Sequence, residues 1–173
     1  MRVELRSGND GWPAVEPLNA LVYPPEVLAS IVWREAEWSH ADKRVLVYLG
    51  ERLIAAVGLY LRDGTHDGAG VRIGGIGGVM THPEHRGRGF ASAGMHRAED
   101  FFAERGDVDF GLLVCEPKNI GFYARLGWRV FPGELVVEQH GRRGAFTVTT
   151  PMVRAVRRPA PSGGTIDLCG LPW

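Results

Sequence analysis

The sequence predicts one α/β domain, and three patterns carry that prediction. A strand-like run, Ile76-Gly77-Gly78-Val79-Met80, passes through Thr81-His82-Pro83-Glu84-His85 into the loop Arg86-Gly87-Arg88-Gly89-Phe90-Ala91. That loop opens a helix, because Ala91, Gly94, Met95, Ala98, Phe101 and Phe102 recur at helical spacing. A second strand–helix pair follows: an apolar run from Phe110 to Val114, then a helical stretch that ends at Gly127. Alternating segments joined by short polar turns flank both pairs and read as hairpins. At 173 residues the chain is long enough for one sizeable core.

The remaining elements follow in order. Arg2 to Arg6 alternates apolar and polar residues, as a first strand does. Residues 10–22 read as a helix with Pro13 near its start, and Pro24-Pro25 breaks it. Glu26 to Trp38 reads as a second helix, with Val27, Ile31, Arg34 and Trp38 on one side. Val45–Leu49 and Leu53–Leu61 are strands joined at Gly50-Glu51-Arg52. Arg62 to Gly68 is expected to turn, and Val71 to Met80 to return as a third strand. The helix from the loop should end at Arg105, before a strand over 108–114 and a helix over 118–126. Trp128–Gln139 and Ala145–Val153 are expected to pair around His140-Gly141-Arg142-Arg143-Gly144. The basic run Arg154 to Arg158 reads as a solvated linker, and Pro159 to Gly164 as a flexible spacer. The domain is thus placed at 1–156, with a tail at 157–173.

Lysine plus arginine and aspartate plus glutamate number 20 each, so the net charge is zero. Nothing in that balance points to nucleic acid or a membrane surface as a partner. No run approaches the roughly 18 apolar residues of a membrane span, and the N-terminus lacks a signal-peptide core. The two cysteines, Cys115 and Cys169, form neither a disulfide framework nor a metal site. A reducing, cytoplasmic setting and no metal are therefore expected.

The loop 86–91 has the makings of a pyrophosphate site. Gly87 and Gly89 let backbone approach phosphate oxygens without a Cβ in the way, and the helix behind them offers free amides and the positive end of a dipole. Arg86 and Arg88 add positive charge. A P-loop is excluded, because no Lys-Ser or Lys-Thr follows a glycine here. The dinucleotide fingerprint is only a near miss: Gly87 and Gly89 are followed by Ser92 where glycine or alanine is wanted, and Gly74-Gly75-Ile76-Gly77-Gly78 leads into strand rather than helix.

The pattern that fits is R-x-x-G-x-A, at Arg86, Gly89 and Ala91, with Pro83-Glu84-His85-Arg86-Gly87 ahead of it. It resembles the acetyl-coenzyme A loop of the GCN5-related N-acetyltransferases. A second segment, Asn119-Ile120-Gly121-Phe122-Tyr123-Ala124-Arg125-Leu126-Gly127-Trp128, resembles that family's segment after the next strand, and the separation of the two is as in the family. The resemblance covers residues 43 to 131. It implies a GNAT acyl-CoA N-acyltransferase fold, with a mixed central sheet flanked by helices. It also implies acetyl-CoA as co-substrate and a primary amine as acceptor.

Residue by residue, the resemblance gives loop 86–91 (Arg86, Gly87, Arg88, Gly89, Phe90, Ala91) to the pyrophosphate. Backbone at Val79, Met80 and Thr81 is given to the pantetheine arm and the thioester oxygen. Tyr123 matches the family tyrosine that protonates the leaving thiolate; a ring packed in the core is the other reading. Asn119 matches an amide contact to the cofactor arm, and a helix N-terminal cap is the alternative. Many relatives carry a glutamate in the strand before the loop. Here that stretch is Gly74 to Gly78, with no ionisable group. The base must then be found elsewhere, at Glu37, His82, Glu116, Asp167 or the carboxylate of Trp173, unless the amine arrives neutral. The glycines themselves either make room for a bulky acceptor or permit a bulge.

The ends of the chain bear a further resemblance. Glu37-Trp38-Ser39-His40, with Asp167, Leu168, Cys169 and Trp173, is similar to segments of the aminoglycoside 2′-N-acetyltransferases. It implies an aminoglycoside or amino-sugar acceptor held by Glu37, Asp167 and Trp173, a docked tail, and Trp173 as a catalytic group through its carboxylate. A peptide or protein amine, and a non-catalytic acyl-CoA-binding module, are the competing readings. Pairing through the C-terminal hairpin, common in the family, would make a homodimer.

Overall fold

The computed structural model describes residues 1–173 and contains one mixed sheet of ten strands. In chain order the elements are β1 (Arg2–Ser7), α1 (Gly8–Val22), α2 (Pro25–Ser30), β2 (Lys43–Leu49), β3 (Arg52–His66) and β4 (Ala69–Thr81), then α3 (Phe90–Arg105) and β5 (Phe110–Cys115). They continue with α4 (Ile120–Arg125), β6 (Arg129–Val130), β7 (Glu134–Gln139), β8 (Arg142–Ala145), β9 (Thr150–Ala155) and β10 (Thr165–Asp167). The strand order is β6-β9-β5-β4-β3-β10-β7-β8, with β2 and then β1 added beside the first half of β3. Only β4–β5 and β7–β10 are parallel. This mixed sheet with flanking helices is the fold expected from the sequence.

Each strand's alternation sends its residues to two faces. On one face Val45, Val57, Leu59 and Ile76 pack under Met95, Ala98 and Phe102 of α3. On the other, Leu46, Tyr48, Ala56 and Met80 pack under Val15 and Leu18 of α1. Ser7 caps α1 by accepting from the Asp10 amide at 3.2 Å.

Two irregularities open the sheet. The parallel pairing of β4 with β5 stops at Ile76–Leu113, after which β5 stays on β9 while β4 follows β3. One edge of β4 from Gly77 to Thr81 is thereby left without a strand partner. Within this stretch β4 also carries an extra residue: Ala56 pairs with Met80 and Gly58 with Gly77, while Gly78 takes φ +55. A glycine in the left-handed region is what this bulge requires.

Five sequence expectations change. The second helix stops at Ser30, since Val27 and Leu28 stay exposed and give a longer helix nothing to bury. The chain beyond it turns so that Trp33 packs edge-on against Trp38, and Trp38 against Phe146. Residues 62–68 are strand almost to their end: β3 and β4 continue to Asp67-Gly68, whose φ values of 49° and 81° make a tight two-residue turn. The single C-terminal hairpin becomes β7–β8, while β9 leaves it to pair with β5 and β6. The basic run is not a free linker, because Arg154 pairs with Glu99, and Arg157 and Arg158 with the buried Asp109. The 159–164 spacer is packed: Ala160 is buried and its carbonyl accepts from Arg129.

The segment 157–173 is woven into the sheet. β10 lies antiparallel to β3 at Ile166–His66 and parallel to β7 at Ile166–Leu135. Beyond it, the Glu138 amide donates to the Gly170 carbonyl at 2.8 Å and the Ser39 amide to the Pro172 carbonyl at 2.7 Å. Arg62 reaches the Leu168 carbonyl at 3.2 Å and the Ser39 hydroxyl at 2.8 Å.

Candidate active site

The loop after β4 is anchored by His82. Its amide donates to the Ile54 carbonyl at 2.8 Å, and its Nδ1 accepts from the Glu84 amide at 3.3 Å. A single 3-10 turn, Pro83–His85, follows. Gly87 and Gly89 then take φ values of 72° and 83°, and a Cβ on either would meet open space. Gly89 caps α3 without any side-chain bond, and no carbonyl accepts from the amides of residues 87–92. Unsatisfied amides converging at a helix start bind an anion such as a pyrophosphate. Arg86 and Arg88 stand exposed beside them, Phe90 is buried, and Ala91 keeps the first turn narrow. The loop residues of the sequence prediction are therefore brought together.

A cleft of about 460 Å³ begins where β4 leaves β5. Gly77, Gly78, Val79 and Met80 form one wall, and Val114, Cys115, Glu116, Asn119 and Tyr123 the other. Thr81 ends β4 and pairs with Ala55, just outside that lining. Asn119 precedes α4 but makes no side-chain cap bond, so its amide is left to the cleft. Tyr123 is 8% exposed; burial first, and then Cys115 and Tyr23, push its phenol far above the usual value. It stays protonated at neutral pH. Burial and the Glu116 charge push the Cys115 thiol up to about 11, so it is no nucleophile at neutral pH.

The floor of the cleft explains the glycine run. Gly75 leaves space that the Trp173 ring fills, and a Cβ there would overlap the indole. A Cβ on Gly77 would lie 2.8 Å from the main-chain carbonyl carbon of Trp173. The indole is 3% exposed, donates from Nε1 to the Leu112 carbonyl at 3.1 Å, and stacks on Tyr60 at 5.5 Å and 16°. Of the two sequence readings the bulge holds, at Gly78; the room left by Gly75 and Gly77 goes to the chain's own Trp173 and not to an acceptor.

The other expected acceptor residues are elsewhere. Glu37 does not line the cleft; its carboxylate accepts from the His140 amide at 2.6 Å and ties itself to the β7–β8 turn. Asp167 does not line it either. Its carboxylate is buried in β10, ion-paired to Arg143, and accepts from the Cys169 amide at 2.8 Å. Burial pushes Asp167 up, but the Arg143 bond, the amide and the Arg143 charge outweigh it, and its pKa is lowered. His82 is spent on Arg52, 2.5 Å from its Nε2. The ligand atoms of His82, Glu84 and His85 lie within 4.8 Å of one another, but Arg52 and Arg88 take up ring nitrogens of the two histidines. Of the candidate bases only Glu116 and Trp173 line the cleft, and Glu116 is paired to Lys118 at 2.9 Å.

Several lining residues carry no motif: Trp12, Trp33, Arg44, Tyr60 and Thr149. One signal was available. Tyr60 and Gly58 alternate onto the face that Gly75 and Gly77 leave bare, and bare strand faces in a core need a large neighbour.

The acetyltransferase (GNAT) domain family model matches residues 9–131. No curated protein matches. Among solved structures, the chain is similar to the GNAT family N-acetyltransferase YhbS of Escherichia coli, solved in complex with CoA. The TM-score is 0.64 at 15% identity, covering 97% of this chain and 89% of that one. It is similar to a GCN5-related N-acetyltransferase of Kribbella flavida (TM-score 0.55, 20% identity), covering 75% of this chain and 33% of that one. It is also similar to a conserved protein of Enterococcus faecalis V583 (TM-score 0.58, 22% identity), covering 74% and 32%. The chain thus spans about a third of the length of these last two. No helix is long and apolar enough to cross a membrane. With the family model covering most of the chain, and the splayed strands and anion loop in place, the protein belongs to the GNAT acetyltransferase family.

Proposed function

We propose that this chain transfers the acetyl group of acetyl-CoA to a primary amine of a small acceptor held in the cleft. The observation that carries the reading is the overlap of the Trp173 main-chain carbonyl carbon with the space of a side chain at Gly77. Relatives with a strand glutamate would hold their carboxylate there. Where Trp173 ends the chain, its own carboxylate stands in for that missing side chain.

The residues present fit the cofactor. The free amides of 87–92, with Arg86 and Arg88, hold its pyrophosphate, and the unpaired edge of β4 at Val79 and Met80 orients its arm. Acetyl-CoA supplies an activated acyl group on sulfur. The Trp173 carboxylate takes a proton from the acceptor's ammonium and so frees the nitrogen lone pair. As the C–N bond forms and the C–S bond breaks, the Tyr123 hydroxyl gives its proton to the departing sulfur, and the second proton, shed by the new amide nitrogen, returns to the Tyr123 oxygen. Backbone amides at the Gly78–Val79 bulge face the position where negative charge gathers on oxygen.

An aminoglycoside or amino-sugar acceptor was expected on Glu37, Asp167 and Trp173. The first two are spent on His140 and Arg143, so that finer reading keeps only Trp173. The test is thiol release from acetyl-CoA over a panel of amines, run beside a variant that ends at Pro172. A cut at 166 would also remove β10 and is the wrong variant. Amine-dependent release by the full chain, lost in the variant while CoA still binds, supports the reading. CoA binding with no release for any amine would favour a non-catalytic module.

A further inference from the structure

The cleft away from β5 is walled by aromatic rings. Trp12, Trp33, Trp38, Tyr60 and Trp173 all line it. Tyr23, Trp33, Trp38 and Phe146 meet edge to face in series, with centroids 5.5, 5.8 and 5.9 Å apart. Such a series holds the rings upright, where packing alone would let them collapse into the space. At the mouth, Trp12 and Leu28 remain 37% and 43% exposed. The Trp38 indole nitrogen is buried and has no acceptor anywhere in the chain. A buried donor of this kind is costly unless a ligand satisfies it.

Of the two side chains in the cleft that carry full charge, Glu116 is paired to Lys118 and Arg44 has no carboxylate partner. Arg44 stands across β3 from Gly77, through the Arg44–Gly58 and Gly58–Gly77 pairs. Its guanidinium lies over the Trp12 ring at 4.8 Å, and its Nε donates to the Gly8 carbonyl at 3.0 Å. No carboxylate pairs with it: it takes part in none of the chain's ion pairs. A partly buried, uncompensated arginine fork is a carboxylate receptor.

Resting on the acetyl-transfer reading above, we propose that the acceptor is a primary amine carrying an aromatic body and a carboxylate, of the aromatic amino acid class. The rings take the flat apolar body, Arg44 takes the carboxylate, and the amine is left facing the carboxyl of Trp173. The new bond is an amide between the acceptor nitrogen and the acetyl carbon. The C–S bond breaks, the ammonium proton goes to the Trp173 carboxylate, the sulfur takes the Tyr123 proton, and the proton shed by the amide nitrogen restores the Tyr123 hydroxyl.

The experiment measures thiol release from acetyl-CoA with L-tryptophan, L-phenylalanine, tryptamine, spermidine and kanamycin. The expected order of kcat/KM places the two amino acids first, tryptamine about tenfold lower, and the polycations last. Arg44→Gln should raise KM for L-tryptophan about tenfold and erase its advantage over tryptamine, and Arg44→Lys should restore part of that advantage. The wild-type ranking stands as a test even if the Arg44 variants fold poorly. Spermidine or kanamycin ahead of L-tryptophan would overturn the acceptor class and leave acetyl transfer intact. Tryptamine equal to L-tryptophan in the wild type would overturn the role of Arg44. Release with no amine at all would sink the acetyl-transfer reading, and the acceptor class with it.

Discussion

The two halves of the cleft are made of different material. The half proposed for the cofactor is backbone: the unpaired edge of β4, the bulge at Gly78, and the free amides from Gly87 to Ser92, all within one continuous stretch. The half proposed for the acceptor is side chain, with Trp12 from α1, Tyr60 from β3, and Trp33, Trp38 and Trp173 from outside any regular element. A backbone site depends on a few permissive glycines and tolerates most side-chain changes beside them. A side-chain site can be refitted to a new acceptor without disturbing the cofactor. One sheet can therefore hold the donor constant while its other face changes partners.

The largest test of that division is removal of Trp173. Ending the chain at Pro172 should lower kcat by about a thousandfold, the scale of a lost general base. CoA affinity, followed by calorimetry, should stay within about twofold. A matching loss of CoA binding would mean the halves are not separate.

Tyr123→Phe comes next, with kcat down by about a hundredfold and KM for both substrates little changed. Burial holds this phenol protonated well above its ordinary value of 10.0, so the wild-type rate should show no alkaline fall from it up to pH 10. A fall near pH 10 that vanishes in the phenylalanine variant would show an ordinary phenol instead.

Gly89→Ala is smaller and falls on the cofactor half. With φ at 83°, any side chain is strained by roughly 1–2 kcal/mol. The expected reading is a CoA Kd about tenfold higher with an unchanged acceptor KM. A shift in the acceptor KM alone would contradict the backbone account.

The smallest effect belongs to Asp167, outside both halves. Its pKa is lowered in the folded chain, so its stabilising contribution is present above the ordinary carboxylate value and lost as pH falls through the lowered one. Asp167→Asn should lower the midpoint of thermal unfolding at pH 7 by about 2–4 °C, roughly 1 kcal/mol. It should also flatten the acid side of the stability curve and leave kcat unchanged. A lost kcat would return Asp167 to the acceptor site.

Legibility in the sequence followed the same division. The loop, Asn119 and Tyr123 could be read because each sits in a contiguous stretch whose spacing is fixed by one turn or one helix. The acceptor side could not, because register decides it. Nothing local to Thr165–Asp167 says that it will slip between β3 and β7, turning Asp167 towards Arg143 rather than the cleft. The helical period of Val27, Ile31 and Trp38 was also misleading. Without a surface to cover, those residues formed one short helix and an aromatic wall.

The position of β10 also sets a timetable. The β7–β8 hairpin joins the rest of the sheet only through this three-residue strand. The hairpin precedes β10 in the chain by 20 residues, from Ala145 to Thr165, and has no strand partner in the rest of the sheet until β10 arrives. The pairing of Ile166 with His66 then closes one of the longest loops in the chain, a slow kind of contact. Joining the hairpin and seating Trp173 are thus one late event. The free amides of the loop after β4 owe nothing to that event, whereas the acceptor's side of the cleft is complete only once it has happened.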